Sequence, residues 1–224
     1  MLRDATEEKQ LEDIRRLYES SFPKSEKKPF EFMRKRQEEG AFHMLAIEDE
    51  AGEFRGLAIM MLSGGWALLD YLAIEPDCQG TGLGSRTLEE LQRRYGKERL
   101  VVEIESTAED GAAAIQAASG HSAGNWGERL RRKAFYLRNG MVPMDFMVNL
   151  FGVEMEVLTF GGRITFEQYH GIYAGVLPRE MAEKVKKVPA PGGRARESKT
   201  AHTIYCAGSL CCFSTRQPLQ KISH

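Results

Sequence analysis

The stretch "EPDCQGTGLGSR", Glu75 to Arg86, places three glycines at alternate positions between an apolar run and a charged helical run. Phosphate binding needs several backbone N–H groups turned into one concavity. No side chain may obstruct them, and a helix N-terminus behind them adds its positive end. Gln79-Gly80-Thr81-Gly82-Leu83-Gly84 meets these conditions. It follows a strand expected over Asp70 to Glu75 and opens a helix expected from Ser85 to Tyr95. On spacing alone, a glycine-rich turn with no ligand fits equally well. Two nucleotide motifs are excluded. A P-loop ends in Gly-Lys-Ser/Thr, whereas Gly84 is followed by Ser85-Arg86. A dinucleotide fingerprint reads GxGxxG within an early βαβ unit, and the spacing here is different.

Working outward, "AFHMLAIEDEAGEFRGLAIMMLSGGWALLDYLAIEP" upstream of the loop reads as three strands. Their turns fall near Asp49 to Gly52 and at Gly64-Gly65. Two helices precede them. One spans Glu7 to Ser20, with Leu11, Ile14, Leu17 and Tyr18 at helical spacing behind an Asp4–Glu7 capping box. The other spans Pro29 to Glu39. Downstream, "RLVVEIES" predicts a strand over Arg99 to Glu105. Leu100, Val102 and Ile104 face one way; Val101, Glu103 and Glu105 face the other. Residues 107–127 are rich in Ala, Gly and Ser and read as a long connection with a short helix near 112–118. A helix over "GERLRRKAFYLRNGM" and strands over Met144 to Leu150 and Val153 to Phe160 follow. Thr165 and Gln168 then form a capping-box spacing before "FEQYHGIYAGVL". The expected domain covers residues 1–188, and 189–224 reads as a disordered tail. The fold class is α+β: a mixed, mostly antiparallel sheet with one parallel crossover, flanked by helices.

Composition narrows the function classes. Among 224 residues, Lys and Arg number 31 against 32 Asp and Glu, so no net field attracts nucleic acid. The charged start "MLRDATEEKQ" lacks the apolar core of a signal peptide, and no run is apolar enough to span a membrane. The four cysteines suit neither a disulfide framework nor a zinc site, and the five histidines show no ligand spacing, so no metal is expected. These features make a cytoplasmic protein without membrane or nucleic-acid partners the expectation.

The strand "DYLAIEP", the loop "QGTGLG" and the amphipathic helix after it resemble the core signature of the GNAT superfamily of acyl-CoA N-acyltransferases, Q/R-x-x-G-x-G/A. Gln79, Gly82 and Gly84 fill its slots, and "RKAFYLRNGM" is similar to the helix across the acyl-CoA cleft. The resemblance implies a GNAT fold with a splayed parallel strand pair and acetyl-CoA as co-substrate. It implies that Leu72, Ala73 and Ile74 offer backbone groups to pantetheine. It also implies that the pyrophosphate sits on Gln79, Gly80, Thr81, Gly82, Leu83, Gly84 and Ser85. The acceptor would be a small-molecule or protein amine, and a homodimer is a common assembly in such proteins. A non-catalytic acyl-CoA-binding or regulatory protein of the same fold would share these features.

Attack of a primary amine on a thioester needs a proton acceptor, because an amine of pKa about 10 is mostly protonated at neutral pH. Glu103, Glu105 and Asp70 are the candidates. Acidic residues are unexpected in a strand with parallel neighbours, which favours Glu103 unless that face simply opens to solvent. Asp70 lies at the start of its strand. The departing thiolate needs a proton donor, and Tyr136 matches the slot that the resemblance assigns to it. On a helical wheel Trp126, Leu130, Ala134 and Leu137 form an apolar stripe. Tyr136 lies on its flank with Arg129 and Lys133, cations that would favour a phenolate. Arg129 and Met141 depart from the residues common in the family.

Overall fold

The computed structural model describes residues 1–24, 26–107 and 126–189. The helix expected near 112–118 and the tail beyond residue 189 lie outside them. Eight strands form one sheet: β1 (Leu2–Asp4), β2 (Phe42–Glu48), β3 (Phe54–Ser63), β4 (Trp66–Ile74), β5 (Leu100–Glu105), β6 (Val142–Leu150), β7 (Val153–Thr159) and β8 (Lys186–Pro189). Their order is β1-β2-β3-β4-β5-β7-β6-β8. Among the described residues only β4 and β5 run parallel; the other neighbours are antiparallel. A parallel pair needs a crossover, and the glycine loop with the helix after it supplies that.

The helices are α1 (Glu8–Ser21), α2 (Phe30–Glu38), α3 (Leu83–Tyr95), α4 (Trp126–Arg138), α5 (Phe166–Val176) and the short α6 (Arg179–Ala182). Alternation along the strands divides the core in two. On one face Leu68, Val101 and Val157 meet Leu11, Ile14, Leu17 and Tyr18 of α1, Phe30 and Met33 of α2, and Tyr169, Ile172 and Tyr173 of α5. On the other face Leu69, Val102, Ile104 and Leu158 meet Leu88 and Leu91 of α3 and Tyr136 of α4. The spacing of apolar residues in α1 is realised, and the alternation expected in β5 holds from Leu100 to Ile104; Glu105, at the strand's end, turns to α4 instead.

Three expectations are corrected. Asp4 belongs to the edge strand β1 and accepts from Arg94 at 2.5 Å, while Glu7 begins α1 with no side-chain cap. Asp70 is not at a strand start; β4 begins at Trp66. The edge strand β8 lies in a stretch whose periodicity gave no strand. Strands of three and four residues are too short to show a period of two. The Thr165–Gln168 capping box does form: Gln168 N–H donates to Thr165 Oγ1 at 3.2 Å and Thr165 N–H to Gln168 Oε1 at 2.9 Å.

The turn that launches α5 is fixed by a close approach. A Cβ on Gly162 would stand 2.3 Å from the Glu98 carbonyl oxygen, and the Gly162 carbonyl accepts from Thr159 Oγ1 at 2.6 Å. Neither backbone can move without displacing β5 or β7. Gly162→Ala should therefore cost about 1–3 kcal/mol of stability, read as a lowered midpoint in urea unfolding; an unchanged midpoint would show that the turn gives way freely.

Candidate active site

The site starts from a register slip. Along β3 and β4 the pairing runs Ile59↔Tyr71 and then Met60↔Leu69, so Asp70 is an extra residue in β4. A bulge of this kind bends the strand and turns two successive side chains to one face. Asp70 and Tyr71 both point toward the α1–α2 connection. Lys28 Nζ donates to both Asp70 carboxylate oxygens at 2.8 and 2.9 Å, and the Tyr71 hydroxyl donates to the Glu26 carbonyl at 2.8 Å. Pairing between β4 and β5 ends immediately before the bulge, at Leu69↔Val102. From there the two strands diverge. Residues 72–74 remain paired to β3 on one side, and 103–105 to β7 on the other. Leu72, Ala73 and Ile74 are half-buried and line the opening wedge.

Beyond the wedge the glycine loop takes the form expected of it. Pro76–Cys78 make a short helical turn, and the Thr81 hydroxyl donates to the Cys78 carbonyl at 2.7 Å. Gly82 sits at φ 82°, a left-handed conformation that side chains resist, and it begins α3 with no side-chain cap. The first intrahelical bond is Arg86 N–H to the Gly82 carbonyl at 3.1 Å, which leaves the amides of Gly82 to Ser85 without intrahelical partners. No acidic residue occupies the first turn to neutralise its positive end. A Cβ at Gly80 or Gly82 would meet nothing within 4 Å, whereas one at Gly84 would press on the Phe135 ring at 3.3 Å. The first two glycines thus keep open space above the amides, and the third lets α3 approach α4. The Gln79 side chain turns back and donates to the Ile74 carbonyl at 3.0 Å, tying the loop to the wedge. These residues fit a ligand carrying both a pyrophosphate and an extended amide chain.

The three candidate bases lie in different surroundings. Asp70 is ion-paired with Lys28. Glu105 lies 2.9 Å from Arg129 Nε, with Arg132 at 3.8 Å. Glu103 has no ion-pair partner among the described residues; it accepts from the hydroxyls of Tyr169 and, at 2.5 Å, Tyr173. Burial pushes its carboxyl above the usual carboxylate range; the two phenols oppose that shift, while nearby Asp70 adds to it. Sequence reasoning did not single out Tyr169 and Tyr173, although their i, i+4 spacing put them on one helical face.

Tyr136 reaches the sheet from the opposite face. It is 7% exposed, packs with Leu69, Val102 and Ile104, and its hydroxyl makes no hydrogen bond among the described residues. Burial pushes the phenol up to about 12 and outweighs the downward pull of the Arg132 cation. The expected orientation of α4 is corrected. Leu130 and Leu137 are exposed at 45% and 41%, while Arg129 is buried at 8%. The helix docks through charge: Arg129 meets Glu105, and Lys133 meets Glu156 at 2.7 Å. Burial would raise the Glu156 carboxyl, but Lys133 together with the Thr107 hydroxyl and backbone N–H holds it below the usual range. Glu105, the last residue of β5, and Glu156, within β7, lie beneath this helix, so its cationic stripe faces inward. The basic stretch "KSEKKPFEFMRKR" is also largely neutralised, with Lys27, Lys28, Arg34 and Arg36 each paired to a carboxylate.

Residues 11–119 match the acetyltransferase (GNAT) family. The matched segment runs from within α1 through β5 and includes the glycine loop. Among solved structures it is similar to a putative GNAT-family acetyltransferase from Bacteroides thetaiotaomicron, at 21% identity and a TM-score of 0.59, over 81% of this chain and 98% of that one. It is also similar to an aminoglycoside 6'-N-acetyltransferase complexed with coenzyme A, at 12% identity and a TM-score of 0.53, over 74% and 99% of the two chains. A spermidine N-acetyltransferase chimera from Vibrio cholerae and hSSAT aligns at 16% identity and a TM-score of 0.50, over 70% and 93%. No curated protein sequence matches the chain. The GNAT fold and acyltransferase class expected from the sequence therefore hold. Among the described residues, no helix is long and apolar enough to cross a membrane.

The Arg129–Glu105 pair offers a test of how α4 is held. Both side chains are about nine-tenths buried, so removing one partner leaves a buried charge. Glu105→Ala should cost about 3 kcal/mol or more in urea unfolding. A loss below about 1 kcal/mol would match an exposed pair instead.

Proposed function

We propose that residues 1–188 form a cytoplasmic N-acetyltransferase that moves an acetyl group from acetyl-CoA to a primary amine by direct attack. The observation that carries this reading is the wedge: a backbone edge opening between β4 and β5, with an uncapped helix N-terminus beyond it and an acid and a base on its two sides. Acetyl-CoA supplies the activated acyl group as a thioester. The backbone edge at Leu72, Ala73 and Ile74 pairs with pantetheine amides, and the amides of Gln79 to Ser85 hold the pyrophosphate. Glu103 takes the proton of the acceptor amine. Each of its oxygens accepts from one phenol and keeps a lone-pair direction free for that proton. Tyr136 donates its phenolic proton to the departing sulfur. A phenol held at about 12 stays protonated across the neutral range and so has a proton to give. The acceptor is a small-molecule or protein amine. The fold shared with spermidine and aminoglycoside N-acetyltransferases is consistent with an amine acceptor, and the chain works alone or as a homodimer.

Free-thiol release from acetyl-CoA should appear with at least one amine in a panel of spermidine, an aminoglycoside, lysine and an N-terminal peptide. Tight acetyl-CoA binding with no thiol release in any case would mark a non-catalytic binder. With the best amine, Tyr136→Phe and Glu103→Gln should each lower kcat by about 100-fold or more and leave acetyl-CoA affinity within a few-fold; unchanged turnover in either variant overturns that assignment.

The pH dependence follows from the same two groups. A reaction that needs ionised Glu103 gains rate as pH rises through a carboxyl pKa lifted by burial. Tyr136, held at about 12, imposes no falling limb below that pH. A rate maximum near neutrality followed by an alkaline decline, absent in Tyr136→Phe, would contradict this.

A further inference from the structure

We propose that Tyr169 and Tyr173 of α5 are positioning residues for acetyl transfer, holding the Glu103 carboxylate in the orientation from which it receives the acceptor's proton. The proposal rests on Glu103 being the base. The geometry is specific. Both tyrosines are fully buried, one turn apart on the same helix, and each spends its only hydroxyl proton on Glu103. A carboxylate with two fixed phenol donors cannot rotate freely about its terminal bond. The donors come from a helix beyond residue 119, outside the segment that matches the family. That helix is set by its own capping box and by the Gly162 turn, so the clamp is built by parts of the chain distant from β5 in sequence.

The groups facing Glu103 are Tyr169 and Tyr173 from α5, Asp70 from β4, and Lys28 from the α1–α2 connection. Lys28 and Asp70 largely cancel, since they are ion-paired with each other. The phenols are left as the main groups favouring the ionised carboxylate against burial. A bond from a neutral donor to a charged acceptor stabilises the charged form. Removing one phenol therefore moves the carboxyl further up, by about one pH unit. The ring of each tyrosine is retained in a phenylalanine, so packing is preserved.

The test uses the full chain labelled with 13C at the glutamate side-chain carboxyl and followed by NMR titration. The Glu103 signal is identified by its loss in Glu103→Gln. In Tyr169→Phe and Tyr173→Phe its midpoint should rise by about one pH unit. The acidic limb of kcat/KM, measured with acetyl-CoA and the best panel amine, should rise with it, giving about a tenfold loss on that limb and little change in acetyl-CoA affinity. A midpoint that stays in place in both variants overturns the clamp. If the midpoint moves but Glu103→Gln turns over normally, Glu103 is not the base. In that case the clamp is a structural contact without a catalytic role.

Discussion

The single extra residue in β4 is the constraint on which the rest depends. A parallel strand pair held in register has no room for a ligand between its strands. By inserting Asp70 opposite a continuous β3, the chain bends β4 at the point where its pairing with β5 must continue or end. It ends. The residues released there are half-exposed, so their backbone groups stay within reach of solvent and escape the penalty of an orphaned buried amide. The same bulge turns Asp70 and Tyr71 toward the α1–α2 connection, so the element that opens the wedge also organises one of its walls.

The opposite wall is attached by different means. Helix α4 carries two stripes, one apolar and one cationic, and the cationic stripe meets the sheet. Glu105 ends β5, and Glu156 lies in β7 beside Ile104, at the margin of the apolar layer. An apolar stripe laid over them would leave two carboxylates desolvated without partners, at a cost larger than the gain from burying two leucines. The inverted docking of α4 is thus set by its partners rather than by its own hydrophobicity. Tyr136 and Phe135 supply the apolar contact further along the helix, against the layer that includes Leu69 and Val102.

Much of this was legible in the residues. The glycine spacing, the apolar period of α1, the alternation in β5 and the capping box of α5 each follow from local rules that tertiary context did not override. What escaped was non-local. The Asp70 bulge depends on how β3 and β4 align, and nothing in "LLDYLAI" announces a slip of register. The phenols on Glu103 come from 66 and 70 residues away. Their helix was recognisable, but its target was not. The orientation of α4 failed for the same reason, since a helical wheel ranks faces by polarity and cannot see the carboxylates waiting underneath.

The division of the core into two faces has a further consequence. Glu103 lies in one layer and Tyr136 in the other, with the thickness of a strand between them. In the proposed reaction a proton is taken up on one side of the sheet and another is released on the other side. The sheet therefore works as an insulating partition. The base and the acid share no hydrogen bond through which one could neutralise the other, and each titrates with little reference to its counterpart. After each turnover both must be reset from solvent by separate routes, so the chain needs two proton paths rather than one.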